Sequence, residues 1–335
     1  MLNEVNAIPE GLLDARAEDL HELLKNPTLI HLNGLKPQPL FISTLLHGNE
    51  TTGLYAIQRL LKKYSKQPLP RAVSLFIGNI EAAKENQRHL EDQDDYNRIW
   101  PGTHHDDSPE KDMMHAVTHI MRRKKPFASI DIHNNTGKNP HYACMNILNP
   151  HGLVLASKFS DIAVYFTSPK GVQSSAFSEF CPSAVLECGQ SGDKSGEDHA
   201  LAYLESILAL DDLSSQSSKN LKLYHTVARV TIPPSVTISE IFDDSCSDLC
   251  LNVKLEDKNF HQICPGTEFA TVNPACDKLV VVSSESEEDV THEYLEMEVD
   301  KLIFKKSVTL AMFTTNEKAI RQDCVCYLME ELRIG

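Results

Sequence analysis

Short runs that are apolar almost throughout recur along the chain at residues 40–46, 72–79, 127–133 and 182–187, with stretches of helical period between them. A strand carries unbroken apolar character when both of its faces are covered, as in the parallel sheets of α/β proteins. A strand with one wet face would alternate. This part of the chain therefore reads as a mixed, mostly parallel sheet flanked by helices. The helical stretches are 10–26, 51–64, 80–90, 112–125, 152–159 and 195–210. The clearest is 51–64, with Leu54, Ile57, Leu60 and Leu61 on one face and Arg59, Lys62 and Lys63 on the other. Residues 28–32 and 142–148 read as further strands, and the acidic stretch 91–112 as a long loop of the kind that often carries function.

The pattern changes at the polar, Ser-rich linker 211–218. Beyond it the helical period gives way to short β-type runs at 228–232, 249–255, 268–272, 278–283, 302–304 and 308–313, separated by Pro, Gly, Asn and Asp. Two domains are expected, 1–212 and a smaller β-rich domain at 221–335. A chain of 335 residues, 41% hydrophobic, has ample apolar material for a full core.

Composition removes several function classes. The formal net charge of −15 argues against a nucleic-acid partner, and the basic run Arg122-Arg123-Lys124-Lys125 reads as a helix C-terminus favoured by the dipole. No apolar run approaches the ~20 residues of a membrane span, and the N-terminal segment lacks a basic start followed by an apolar core, so neither a membrane partner nor secretion is expected. Nine cysteines without a regular framework then read as reduced thiols in a cytoplasmic protein.

Three of the apolar runs lead into side chains that carry chemistry. The first delivers His47, with Glu50 three residues on; the others end in His133 and Glu187. Sites on open parallel sheets assemble at the carboxyl ends of the strands. Two imidazoles and one carboxylate, with a fourth position for water, make a catalytic zinc shell, so His47, Glu50 and His133 are the expected ligands of one Zn2+ per chain. Asp131, on the same strand face as His133, can accept the second N–H of that ligand. Other clusters are weaker. His104-His105 cannot easily converge on one ion, His115 and His119 lack a third partner, and Cys246/Cys250 and Cys324/Cys326 lack second pairs. Cys188 points away from Glu187 and has no histidine to activate it.

With these residues in order, the chain resembles the succinylglutamate desuccinylase/aspartoacylase family of the zinc carboxypeptidase-like superfamily. The matching pieces are His47-Gly48-Asn49-Glu50-Thr51-Thr52-Gly53, Gly78-Asn79 with Arg88 downstream, Asp95-Tyr96-Asn97-Arg98, Asp131-Ile132-His133-Asn134-Asn135-Thr136 and Val185-Leu186-Glu187-Cys188-Gly189. About two residues in 91–95 are extra relative to the family spacing between Arg88 and Asn97-Arg98. The resemblance implies a zinc-dependent deacylase that hydrolyses the linear amide bond of an N-acyl amino acid. In that scheme Glu187 is the general base, Arg88 faces the oxyanion, and Arg98 with Asn97 binds a carboxylate of a small anionic substrate. A metallocarboxypeptidase acting on a peptide is the nearest alternative. A non-catalytic metal-binding or regulatory protein on the same fold is a further one. Monomer and homo-oligomer are both open at this stage.

Overall fold

The computed structural model describes residues 1–214, 221–239, 247–276 and 278–333; residues 215–218 of the Ser-rich linker and Cys246 lie outside them. The chain divides into two compact units. The first comprises Met1–Asn134, His141–Tyr165 and Pro169–Lys222, the second Asn135–Pro140, Phe166–Ser168 and Leu223–Gly335.

The first unit is built on β1 (Asn3–Val5), β2 (Thr28–Leu32), β3 (Gly34–Thr44), β4 (Leu69–Ile77), β5 (Ala128–His133), β6 (Tyr142–Met145), β7 (Ile162–Tyr165) and β8 (Ser183–Glu187). Their spatial order is β1-β2-β4-β3-β5-β8-β6-β7. Pairing is parallel except between β2 and β4 and between β6 and β8, so the expected mixed, mostly parallel sheet is present. Its helices are α1 (Leu20–Leu24), α2 (Thr52–Lys63), α3 (Ile80–Lys84), α4 (Pro109–Lys124), α5 (Pro150–Phe159), α6 (Gln173–Ser178) and α7 (Lys194–Ala209).

The apolar runs are buried on both faces, as their composition requires. Phe41 of β3 and Phe76 of β4 share a cluster with Met113, Met114 and Met121 of α4 and Phe177 of α6. Phe41 stacks on Phe177 with ring centroids 4.4 Å apart. Leu40 and Ile42, which point the other way, are equally sealed, and α7 packs on both α2 and α5. Local chemistry sets the helix ends. Ser108 accepts a hydrogen bond from Lys111 N ahead of Pro109, while Arg122, Arg123 and Lys124 close the last turn of α4 before left-handed Lys125.

Three stretches depart from expectation for tertiary reasons. Residues 10–26 form short 3-10 turns and the five-residue α1 because Gln58 Nε2 of α2 donates to the carbonyls of Leu12 and Ala15, both at 2.8 Å. The helix expected over 80–90 stops at Lys84; Asn86 is left-handed, and the carbonyl of Arg88 accepts from Gly48 N at 3.1 Å. Strand 142–148 is shorter, ending at Met145, and β1, β7 and α6 had no clear sequence signal.

The second unit is β-rich and antiparallel. One sheet joins β9 (Lys222–Thr231), β11 (Gln262–Ile263), β13 (Val281–Ser284), β16 (Val308–Ala311) and β17 (Cys326–Leu332) in the order β13-β9-β17-β16-β11. The other has the order β10 (Leu249–Leu251), β12 (Glu268–Val272), β15 (Lys301–Phe304), β14 (Leu295–Glu298). Short helices α8 (Thr291–Tyr294) and α9 (Glu317–Gln322) complete it. Both sheets contribute to one core, in which Phe269 meets the edges of Phe304 and Phe313 at 5.6 and 6.0 Å. Among the described residues no helix is long and apolar enough to cross a membrane.

Candidate metal centre

The carboxyl ends of β3, β5 and β8 lie side by side. His133 and Glu187 are register partners at the ends of parallel β5 and β8, so their side chains leave the sheet on the same side. After β3 the chain turns through left-handed Leu45 to present His47, and Glu50 N closes a tight turn on His47 O at 3.1 Å. Gly48 permits that turn, because a Cβ there would lie 2.2 Å from the backbone between Ala82 and Ala83 of α3. His47, Glu50, His133 and Glu187 are all buried.

Glu50 lies between the two imidazoles. His47 Nδ1 is 2.8 Å from Oε1, His133 Nδ1 is 2.7 Å from Oε2, and the ring centroids are 5.0 Å apart. Asn134 N donates to Glu50 Oε2 at 3.0 Å. One ligand atom from each of His47, Glu50 and His133 falls within 4.8 Å of the others, and among the described residues no other trio of His, Cys, Asp or Glu converges in this way. His104, His105, His115 and His119 are exposed.

The far side of each ring tests whether a cation fits. His47 Nε2 is 3.0 Å from Asp95 Oδ1, and His133 Nε2 is 2.8 Å from Asp131 Oδ2. An ionised carboxylate only accepts, so each Nε2 carries its proton and each Nδ1 aims a lone pair at Glu50. Facing lone pairs repel unless each ring takes a second proton or a cation sits between them. A divalent cation does the work of both protons, and borderline-soft imidazole with carboxylate suits zinc. The donor set therefore fits the metal.

Electrostatics follow the same logic. Burial alone would push the Glu50 carboxyl up, but the two imidazoles hold it well below the usual carboxylate range. Burial opposes a charge on His133, yet Asp131 and Glu50 hold its pKa well above the ordinary histidine value. Burial likewise works against the Asp95 carboxylate, and Arg88, His47 and Arg98 overcome it, leaving its pKa low.

The remaining candidates occupy the loop that follows α3. Arg88 is only 15% exposed and grips Asp95 Oδ2 through Nε at 3.0 Å and Nη2 at 2.9 Å. Arg98 donates from Nη1 to Asn97 O at 2.9 Å. Asn97 Oδ1 accepts from Gln173 N at 3.0 Å, and its Nδ2 lies 3.2 Å from His133 Nε2. With that ring nitrogen already donating to Asp131, the second contact is one of packing, and Asn97 is held through Gln173. Cys188 is sealed, and burial first, then Glu187 and Glu50, push its thiol well above the ordinary value, so it is no nucleophile.

Asp95 and Asn134 were present in the sequence motifs without roles. Asp95 ties His47 to Arg88. Asn134 donates from Nδ2 to Thr52 Oγ1 and to Gly189 O, both at 2.9 Å, joining the start of α2 to the turn after Glu187. Asp95 is a carboxylate two residues before an Asn-Arg pair, which was the available signal. Asn134 simply follows a ligand.

Comparison with known proteins agrees with this geometry. Residues 37–198 match the family model described as the succinylglutamate desuccinylase/aspartoacylase catalytic domain. Among curated proteins the sequence finds no match. Among solved structures the fold is similar to the succinylglutamate desuccinylase of Chromobacterium violaceum, at a TM-score of 0.59 and 15% identity over 92% of this chain and 89% of that one. It is also similar to murine aminoacylase 3, at 0.55 and 15% over 89% and 96%. The ectoine utilization protein EutE of Ruegeria pomeroyi gives 0.58 and 13% over 91% and 88%. At these identities the structures speak for the fold, and the family model speaks for the site-bearing segment, which contains every ligand and charged candidate named above. Over residues 37–198 the chain is thus similar to the catalytic domain of the succinylglutamate desuccinylase/aspartoacylase family.

Proposed function

We propose that the protein is a zinc-dependent hydrolase of the amide bond in N-acyl amino acids. The observation that supports this best is the convergence of His47 Nδ1, His133 Nδ1 and Glu50, with a carboxylate behind each ring. His47, Glu50 and His133 would hold one zinc ion, which lowers the pKa of a bound water toward ~7 and polarises a carbonyl. Glu187, beside His133 in register, takes the proton of the attacking water and passes it to the departing amine. Arg88, steadied by Asp95, offers positive charge to the oxygen on which charge develops. Arg98 is the fork for a carboxylate of a small anionic substrate.

The test is a panel of N-acetyl, N-succinyl and N-formyl amino acids alongside short peptides, offered to zinc-loaded protein. Hydrolysis of one acyl-amino-acid class, abolished by chelation and restored by zinc, is the expected result. Turnover of peptides alone would replace this reading with a carboxypeptidase. Within the panel, Arg98→Ala should raise KM for anionic substrates at least about tenfold more than for neutral ones; equal effects would remove Arg98 from the substrate role.

A further inference from the structure

A second chain of nucleophile, base and acid crosses the β1-β2-β4 edge of the sheet in the first unit. His31 of β2 is the register partner of Ser74 on antiparallel β4, and Glu4 stands on β1, which pairs with β2. His31 Nδ1 is 2.8 Å from Ser74 Oγ, and His31 Nε2 is 3.0 Å from Glu4 Oε1. The Glu4 carboxylate only accepts, so Nε2 carries the ring proton and Nδ1 presents its lone pair to the serine O–H. Ser74 must donate. The two ring nitrogens are exchanged relative to the familiar serine-hydrolase triad, but the requirement is the same: one nitrogen free to take the hydroxyl proton while the other is held by an acid.

Three further observations separate this group from an ordinary buried hydrogen-bond chain. Ser74 and His31 are 1% and 9% exposed, yet both line a cavity of about 320 Å³, at the small end of the range for ligand pockets. Asn6, Asn33 and Lys124 share its wall, so it offers amide groups and one cation to a guest. Burial first, and then the Lys124 ammonium, hold the His31 pKa below its ordinary value against the pull of Glu4, which leaves the ring a free base at neutral pH. Pro37 and Pro39 on the cavity wall belong to the first half of β3, whereas the metal ligands follow the carboxyl ends of the strands.

We propose that Ser74 is a second, metal-independent nucleophile acting on small esters that carry negative charge, with His31 as its base and Glu4 as the residue that positions the base. Ser74 Oγ bonds to the acyl carbon, its proton passes to His31 Nδ1, the bond to the leaving alcohol breaks, and the alcohol departs with that proton. Water, deprotonated by the same nitrogen, then releases the acid and restores Ser74. One ester and one water become one acid and one alcohol.

The test is incubation of the full chain with an alkyl fluorophosphonate, whose P–F bond is exchanged for P–Oγ at an activated serine, followed by peptide mapping. The expected result is one adduct per folded chain on the peptide carrying Ser74, unaffected by a chelator and absent after heat denaturation. His31→Gln should slow labelling by about 100-fold or more. Glu4→Gln, at the half-exposed end of the chain of bonds, should slow it less and should lower the pH at which labelling is half-maximal, because the imidazole loses its anionic partner. No adduct on Ser74 of the folded wild-type chain, an adduct that forms in His31→Gln at the wild-type rate, or a Glu4→Gln pH profile identical to wild type would overturn the proposal.

Discussion

At the scale of single residues, the metal centre is a problem in proton placement. Asp95 and Asp131 each hold an Nε2 proton, so the tautomer that exposes Nδ1 is built in before any ion arrives. Replacing Asp95 by Asn removes that bias, because an amide can donate as well as accept, and it takes away the negative charge that Arg88 pairs with. Zinc affinity measured by chelator competition should fall by about 10- to 100-fold in Asp95→Asn. In the proposed scheme Glu187, the register partner of His133, is no zinc ligand and works on the proton. Glu187→Gln should therefore lower kcat by about 10²- to 10⁴-fold while the zinc content of the purified protein stays at one per chain; loss of zinc in that variant would give Glu187 a different role.

At the scale of elements, the site depends on close approaches between backbone segments. Gly53 sits in the first turn of α2 where a Cβ would meet Thr44 Oγ1 at 2.3 Å and Ile132 at 3.0 Å, so α2 can press onto β3 and β5 only with glycine there. Gly53→Ala should cost about 1–3 kcal/mol in urea denaturation. A smaller loss, about 1 kcal/mol, is expected for Ser108→Ala, which removes the cap of α4 but touches no part of the metal centre. Those two variants separate packing at the site from helix stability elsewhere. The same scale explains which elements were legible. Strands β3, β4, β5 and β8 and helices α2, α4 and α7 bury long, continuous apolar surface, and that demand is written into their composition. The turns at 10–19 and 85–88 are shaped instead by partners distant in sequence, Gln58 in one case and Gly48 in the other.

For the whole molecule, metal binding and stability are linked. A ligand that binds only the folded chain stabilises it by about 4 kcal/mol at a thousandfold excess over Kd, so chelation should lower Tm measurably. The size of that shift should depend on pH with a definite sign. The ion takes the place of protons on the ligand imidazoles, and His133 holds its proton more tightly than an ordinary histidine. The Tm gained on adding zinc should therefore be small below pH ~6.5, the ordinary histidine pKa, and should continue to grow as pH rises above it. A gain independent of pH would indicate ligands other than histidine.

Read alone, the sequence determined the class of fold and the chemistry at the strand ends. Runs such as 40–46 and 127–133 must be covered on both faces, and His47, Glu50, His133 and Glu187 stand where a parallel sheet gathers its strand ends. Only the tertiary structure decided what stands behind those residues. Asp95 reaches His47 across 48 residues, Asn97 turns to Gln173, and Ser74 meets His31 across 43. Burial leaves a regular trace along the chain because the period of a strand or helix repeats it. A hydrogen bond between two distant polar side chains is a single event with no period, and only the folded backbone brings its two ends together.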